Sequence, residues 1–314
     1  MPPPPLIALL GPTGCGKSAV ALELALRLGG EVVNCDAFQN YAGIAVASAQ
    51  PGRELTARAP HHGYGWLDPR VPLGAGAYAR AAGAWLDAIA ARGKPAILVG
   101  GTGFYFEALV RPLPETPARD PAVDARLDRL AARHPRPGYL HRLLRRLDPG
   151  AAARLSPRDA ARVRRALGYR VQTGRRFSDL RSARAERPAA RPARAFFLDL
   201  DAELLESRLR ERACAMVAGG LAGEAAALRA AGVPDDAPGL RAIGCAEARA
   251  LLDGALGEPA AIEAITRRSR QYAKRQRTWM RHAPDLQGAG KRVDLAGLET
   301  AQAAEEILRR LGGT

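Results

Sequence analysis

The chain shows two rhythms of apolar and polar positions. Five short runs read as strands: "LIALL" at 6–10, "EVVNCD" at 31–36, "PAILVGG" at 95–101, "AFFLDLD" at 195–201 and "KRVDL" at 291–295. Their compact apolar centres, bounded by glycines and acids, suit strands buried inside a sheet. Between them the period changes to that of a helix. Val20, Leu24 and Leu28 form one stripe over 17–28, and 77–92 is helical. Further helical patterns fill 202–282 and a last segment to 311. Strands alternating with helices predict a parallel α/β sheet, with ligands at the carboxyl ends of its strands. The loops that follow strand ends are 11–18, 36–41 and 100–105.

A proline-rich bridge, "RPLPETPARDP" at 111–121, interrupts the alternation. Residues 122–176 are helical and rich in arginine, and 181–194 reads as a solvated linker before the strand at 195. The expected organisation is therefore an α/β core made of 1–119 and 195–314, with a mostly helical insertion at 120–194. No internal repeat is present.

Composition narrows the class. The chain has 314 residues, of which 47% are hydrophobic, enough for a sizeable core. No apolar run reaches the length of a membrane helix. The start, "MPPPPLIALLG", has neither a basic region nor a long enough apolar run for a signal peptide, so a cytoplasmic protein with a disordered "PPPP" leader is expected. Cys15, Cys35, Cys214 and Cys245 make no C-x-x-C pair, and the five histidines form no metal constellation; reduced thiols and a structural His61–His62 pair are expected. The formal net charge of +15 favours a polyanionic partner, nucleic acid first. Arginine is abundant everywhere in the chain, so its placement has to decide.

"GPTGCGKS" supplies the clearest chemistry. Gly11, Pro12, Thr13, Gly14, Cys15, Gly16, Lys17 and Ser18 match G-x-x-x-x-G-K-[ST] between a strand and a helix. Glycines let backbone N–H groups face phosphate oxygens, and the helix N-terminus adds partial positive charge. Lys17, one of only four lysines among 47 basic residues, provides a compact cation, and Ser18 a hydroxyl for Mg2+. Phosphate binding alone leaves a kinase of a small metabolite or nucleoside open, with Asp36 as the acceptor's base. It also leaves open a phosphate-loop RNA-binding protein without catalysis. No acid follows the third strand, which argues against an ATPase motor.

Four further stretches change this picture: "DAFQNY" (36–41), "VGGTGFYFEAL" (99–109), "LRAIGCAE" (240–247) and "TRRSRQYAKRQRTWMR" (266–281). In this order, and with the phosphate loop, they resemble the tRNA dimethylallyltransferases of bacterial type, which lack a C-terminal zinc finger. The resemblance implies a P-loop NTPase-like fold whose loop holds the diphosphate of dimethylallyl diphosphate. It implies Mg2+, a monomer, and transfer of the dimethylallyl group to N6 of the adenine 3′-adjacent to the anticodon, with release of pyrophosphate. Asp36 is then the general base, Thr102 orients amine and diphosphate, and Arg212, with Arg208 one turn before it, neutralises the leaving group.

The same resemblance implies the RNA contacts. Asp36, Ala37, Phe38 and Gln39 meet the flipped nucleotide together with Thr102. Ala161, Arg162, Val163, Arg164 and Arg165 grip the anticodon arm. Arg241, Ala242, Ile243, Gly244, Cys245 and Ala246 form another contact, and the basic face read from the residues of 265–281 adds Arg270 and Lys274 as a surface for the RNA backbone. Ala37 replaces the family's usual serine, Ala161 a polar residue and Cys245 an aromatic one. Asp124 stands where an arginine is usual, with Arg126 as its substitute. The residues themselves add faces at helical spacing. Ile265, Tyr272 and Trp279 form a packing stripe opposite Arg267, Arg270, Lys274, Arg277 and Arg281. In the insertion, Val163, Leu167 and Val171 form a buried stripe and Arg158, Arg162 and Arg165 a basic one.

Overall fold

A computed structural model describes residues 6–111, 113–114, 116–134, 136–180, 190–283, 286 and 291–312. The "PPPP" leader and most of the 181–194 linker lie outside the described residues. The chain divides into two compact units, Met1–Val110 with Arg191–Thr314, and Arg111–Ala190.

Both boundaries differ from the 120–194 read from sequence, for local reasons. The bridge is tied to the insertion's own last long helix: Arg165 donates to Thr116 Oγ1 at 2.7 Å and to the Pro117 carbonyl at 3.1 Å, and Gln172 donates to the Ala118 carbonyl. At the other end, Ala193 and Arg194 already pair with the first strand of the sheet.

The first unit is built on six parallel strands: β1 (Leu6–Leu10), β2 (Glu31–Asn34), β3 (His61–His62), β4 (Ala96–Gly100), β5 (Ala193–Asp199) and β6 (Arg292–Asp294). Their spatial order is β3-β2-β4-β1-β5-β6. The edge strand β3 escaped the sequence pattern because it is two polar residues long. His62 meets Glu31 Oε2 at 2.7 Å and His61 bonds the Ala59 carbonyl, so the pair is structural.

The first helices are α1 (Lys17–Leu28), α2 (Ala45–Ser48), α3 (Arg53–Thr56), α4 (Ala75–Ala91) and α5 (Gly103–Val110). Ile7, Leu9, Ile97 and Val99 point to one face of the sheet and form a core with Val20 and Leu24 of α1. On α4 and α5, Tyr78 and Tyr105 stack at 4.2 Å, and the Tyr78 hydroxyl donates to the Asn34 carbonyl at 2.6 Å.

The second unit contains α6 (Pro121–Arg133), α7 (Tyr139–Leu147), α8 (Pro149–Ala152) and α9 (Ala160–Thr173). Leu127, Leu140, Leu144, Val163, Ala166 and Leu167 make its core. Buried Asp148 caps α8 by accepting from Ala151 N–H, and also accepts from Ser178 N–H. Burial works to raise its pKa, but these donors outweigh it and hold the carboxyl below the usual range. Val171 does not extend the buried stripe; it is 45% exposed in the last turn of α9. Between residues 111 and 190 the sequence has 20 arginines and only 8 acids, so most of the chain's excess charge sits in this unit.

The first unit resumes with α10 (Ala202–Ala218), α11 (Leu221–Ala230), α12 (Cys245–Leu252), α13 (Glu258–His282) and α14 (Thr300–Gly312). Ala213, Met216, Leu221, Leu240, Cys245 and Ile265 form a second core here, and α14 packs on α1. No helix among the described residues is long and apolar enough to cross a membrane.

Candidate active site

β4 lies between β1 and β2, so the loops after these three strands meet at one edge of the sheet. The seam is hydrogen-bonded across: Gly11 N–H donates to the Gly100 carbonyl, Cys35 N–H to the Val99 carbonyl and Thr102 N–H to the Cys35 carbonyl. These bonds place the phosphate loop and Asp36 around one cavity of about 550 Å³; Thr102 is not part of its wall and is tied to it through the Cys35 main chain. Its wall includes Thr13, Gly14, Gly16, Lys17 and Ser18 from the loop, Asp36, Phe38 and Gln39 after β2, and Arg208 and Arg212 from α10.

The loop has the local geometry its glycines allow. Gly14 and Gly16 take φ of +83° and +99°, and Gly16 caps α1. Lys17 Nζ donates to the Pro12 carbonyl at 3.2 Å. Gly11 and Cys15 are buried and are not among the residues that line the cavity. Thr13 is held on both sides: its hydroxyl accepts from Arg212 at 2.9 Å, and its N–H donates to Gln276 Oε1 at 2.9 Å. That N–H is therefore not among those facing a phosphate. Arg212 also donates to the Ser48 carbonyl at 3.3 Å, and Arg208 to the Cys15 carbonyl at 3.2 Å. Burial pushes the Arg212 pKa below the ordinary arginine value, while the charge of Asp36 works the other way.

Asp36 Oδ1 accepts from Phe38 N–H at 3.0 Å. Thr102 precedes α5, and its Oγ1 accepts from Ala37 N–H at 2.9 Å. Thr102 thus touches the main chain where Ala37 lacks a hydroxyl. Gln39 spends its amide N–H groups on the Ser48 and Ala49 carbonyls. The Ser48 turn is anchored by Glu224, which accepts from Val46 and Ala47 N–H groups. Burial raises the Glu224 pKa, with those two donors opposing it.

Arg241, Ala242 and Ile243 also line the cavity, but the following residues do not. Gly244 turns the chain at φ +105°, and a Cβ there would meet Met216 at 2.8 Å. Cys245 is buried in the second core and its thiol is pushed up to about 12 by burial, so it packs rather than contacts RNA. Ala246 is exposed.

Helix α13 departs most from expectation. Ile265 is buried, and Trp279 packs so closely on Gly103 that a Cβ there would lie 2.0 Å from the indole. Tyr272 belongs to the cavity wall instead, with Arg275 5.6 Å over its ring. Its pKa is raised, chiefly by burial. Arg277 leaves the basic face to pair with buried Asp199 at 2.8 Å. Arg267, Lys274 and Arg281 remain exposed, and Arg270 pairs with Glu206 at the surface.

In the insertion, Arg126 and Ala161 are exposed and Arg162 keeps a largely free surface position beside Asp159. Arg164 pairs with Asp128 at 2.5 Å, Arg165 holds the bridge, and Val163 is buried and cannot offer its side chain to RNA.

The sequence reading missed Gln276. It is 4% exposed and bridges Thr13 N–H to the Gly101 carbonyl, to which its Nε2 donates at 3.0 Å. It also missed Arg268, which lines the cavity while bonding both oxygens of Glu247. The four-residue spacing of Tyr272 and Gln276 puts both on one face, which was the available signal.

Comparison with known proteins agrees with this arrangement. The family model described as IPP transferase matches residues 39–283, and one described as isopentenyl transferase matches 4–67. A tRNA dimethylallyltransferase of Desulfovibrio desulfuricans is 43% identical over 287 residues, covering 90% of this chain and 86% of the relative. One from Geobacter sulfurreducens is 40% identical, covering 90% of each. Among solved structures, the tRNA isopentenylpyrophosphate transferase of Bacillus halodurans superposes with a TM-score of 0.70 at 30% identity, over 98% of this chain and 96% of that one. A eukaryotic dimethylallyltransferase studied acting on tRNA gives a TM-score of 0.79 at 25% identity, over 98% of this chain and 77% of that one. The sheet is of the P-loop NTPase-like kind these structures share, and the chain belongs to the tRNA dimethylallyltransferase family.

Proposed function

We infer that this protein transfers the dimethylallyl group of dimethylallyl diphosphate to N6 of the adenine 3′-adjacent to the anticodon in tRNA. The observation that carries the reading is the shared cavity. A phosphate loop, a carboxylate just after β2 and two arginines of α10 converge there, in a chain that matches tRNA dimethylallyltransferases over nine tenths of its length. The kinase reading, open on the phosphate loop alone, is not favoured by any of these relatives.

In this mechanism the loop main chain and Lys17 hold the diphosphate. The N6 amine attacks the first carbon of the dimethylallyl group as the carbon–oxygen bond breaks, and the electron pair leaves with pyrophosphate. Asp36 takes the N6 proton. Thr102 sits at the junction of the two substrates. Arg212, fixed by Thr13 and Ser48, and Arg208 stabilise the departing charge. Ser18, a hard hydroxyl oxygen in the cavity wall beside the phosphate loop, is the residue that would hold Mg2+. No cluster of three or more His, Cys, Asp or Glu among the described residues could hold a metal by itself. When bound, the ion would neutralise diphosphate charge. The exposed arginines of α6 and α9, together with Arg267, Arg270 and Lys274, serve the RNA backbone. The protein acts as a monomer in the cytoplasm in this reading.

Asp36→Asn tests the role of the base. The amide keeps the shape but cannot take a proton, so single-turnover transfer should fall by on the order of 10²–10⁴. Donor and tRNA affinities should stay within about tenfold. Near wild-type transfer by this variant would remove Asp36 as the base.

A further inference from the structure

The segment 59–69, "APHHGYGWLDP", takes no part in the mechanism above, yet it packs beside the residue on which that mechanism turns. Asp36 has left the β2 ladder, so its main-chain polar groups need other partners. Two asparagines supply them, and both are fully buried. Asn34 Oδ1 accepts from Asp36 N–H at 2.8 Å. Asn40 Nδ2 donates at 2.5 Å to the Asp36 carbonyl, which also takes a longer bond of 3.4 Å from Asn34 Nδ2.

Each asparagine is oriented from the 59–69 segment. Asn34 Nδ2 donates to the Gly63 carbonyl at 2.8 Å, and Asn40 Oδ1 accepts from Trp66 Nε1 at 3.0 Å. The main chains run together as well: Gly65 N–H donates to the Gln39 carbonyl and Leu67 N–H to the Asn40 carbonyl. Trp66 is 43% exposed, so its indole N–H had water available and meets a buried amide instead. Its ring is held edge-on to Trp85 at 5.6 Å. Trp85 in turn fills the space above Gly63, where a Cβ would lie 2.6 Å from the ring.

Burying two primary amides is unfavourable unless their hydrogen bonds are made, and here three of those bonds go to Asp36 and two to its brace. We propose that Asn40, oriented by Trp66, is a positioning residue that fixes the Asp36 main chain and thereby aims its carboxylate at the acceptor amine. The proposal rests on the reading of Asp36 as the base. Neither Asn40 nor Trp66 is among the residues lining the cavity, so both act through Asp36.

The test compares Asn40→Val, Asn40→Asp and Trp66→Phe with wild type and with Asp36→Asn. The measurements are the single-turnover rate constant with dimethylallyl diphosphate and tRNA, and the affinity for each substrate. With enzyme saturating over both substrates, the single-turnover rate constant does not depend on the fraction of folded enzyme, so loss of stability alone leaves it unchanged. Displacing a reacting group by about 1 Å costs on the order of 10²-fold. Asn40→Val and Asn40→Asp, each losing the short bond and leaving the Asp36 carbonyl only the 3.4 Å bond from Asn34, should therefore slow transfer by about 10- to 100-fold. Affinities should move less than about threefold. Trp66→Phe keeps the ring and loses only the N–H, so it should slow transfer by about threefold or more. It keeps the test open if the Asn40 variants do not fold. Unchanged rate constants in these variants, with Asp36→Asn inactive, would overturn the proposal while leaving the base in place. An active Asp36→Asn would instead overturn the reading beneath it.

Discussion

Gly100 ends β4 at the seam between the proposed base and Thr102, and alanine there should damage both fold and reaction. A Cβ at this position would lie 2.0 Å from the Cys35 carbonyl oxygen, 2.2 Å from its carbon and 2.7 Å from its Cα. These are backbone atoms, so no change of rotamer relieves the contact. Carbon atoms need about 3.5 Å, so β2 and β4 would have to part by about 1.3 Å at this point. The bonds at risk are Thr102 N–H to the Cys35 carbonyl at 3.2 Å and Ala37 N–H to Thr102 Oγ1 at 2.9 Å. Losing both costs about 2 kcal/mol, and overpacking adds about 1–3 kcal/mol. Gly100→Ala should therefore lose about 3–5 kcal/mol in urea unfolding, a large share of a typical domain's stability. Folded variant should transfer on the order of 10²-fold more slowly under single turnover, because Asp36 and Thr102 no longer meet the substrates together. Gly223→Ala is the control: a Cβ on that helical glycine meets nothing within 4 Å. A Gly100→Ala protein within about 1 kcal/mol of wild type, with wild-type transfer, would refute the argument that this seam sets the site.

Three other outcomes follow from the same geometry. Lys17→Ala should weaken binding of dimethylallyl diphosphate by about tenfold or more in a donor titration, roughly 1.4 kcal/mol, while tRNA gel shifts hardly change. Charge reversal at Arg158 and Arg162, or at Arg267 and Lys274, should lower the slope of log tRNA affinity against log salt by about 0.9 for each phosphate that is no longer neutralised; a slope unchanged by all four would put the RNA elsewhere. Glu31, held by Arg92 first and by His62 and Lys94, has its pKa lowered from 4.5 to about 2. A depressed carboxylate pKa stabilises the fold above the unfolded value and loses that contribution as pH falls. Glu31→Gln should therefore lower stability at neutral pH, and the gap from wild type should close between about pH 4.5 and 2.

The parallel sheet and the loops at its carboxyl edge were legible in sequence because they depend on local signals. Apolar runs ended at glycines or acids, and the phosphate loop lay between a strand and a helix. What the sequence hid depends on packing across long separations. Arg277 reads as one more exposed arginine until Asp199, in a strand nearly 80 positions earlier, is folded against it. Gln276 meets Thr13 and Gly101 only through the packing of α13 on the sheet edge. Tyr272 kept the spacing of a packing stripe, yet it lines the cavity together with Asp36. In the insertion, helical periodicity located the buried Val163 and Leu167 but ran one turn too far at Val171, where the helix ends at Gly174. Cys245 follows a glycine turn whose tight fit against Met216 sends the next side chain into the core.

Transfer itself is read by mass analysis of nucleosides from tRNA incubated with the protein, Mg2+ and dimethylallyl diphosphate. One adenosine, next to the anticodon on its 3′ side, should become heavier by a single dimethylallyl group, with one pyrophosphate released for each. The product should be absent when the donor is withheld and reduced on the order of 10²-fold or more with Asp36→Asn. Unmodified tRNA under these conditions, with phosphate transferred from ATP to a small acceptor instead, would contradict the proposed transfer.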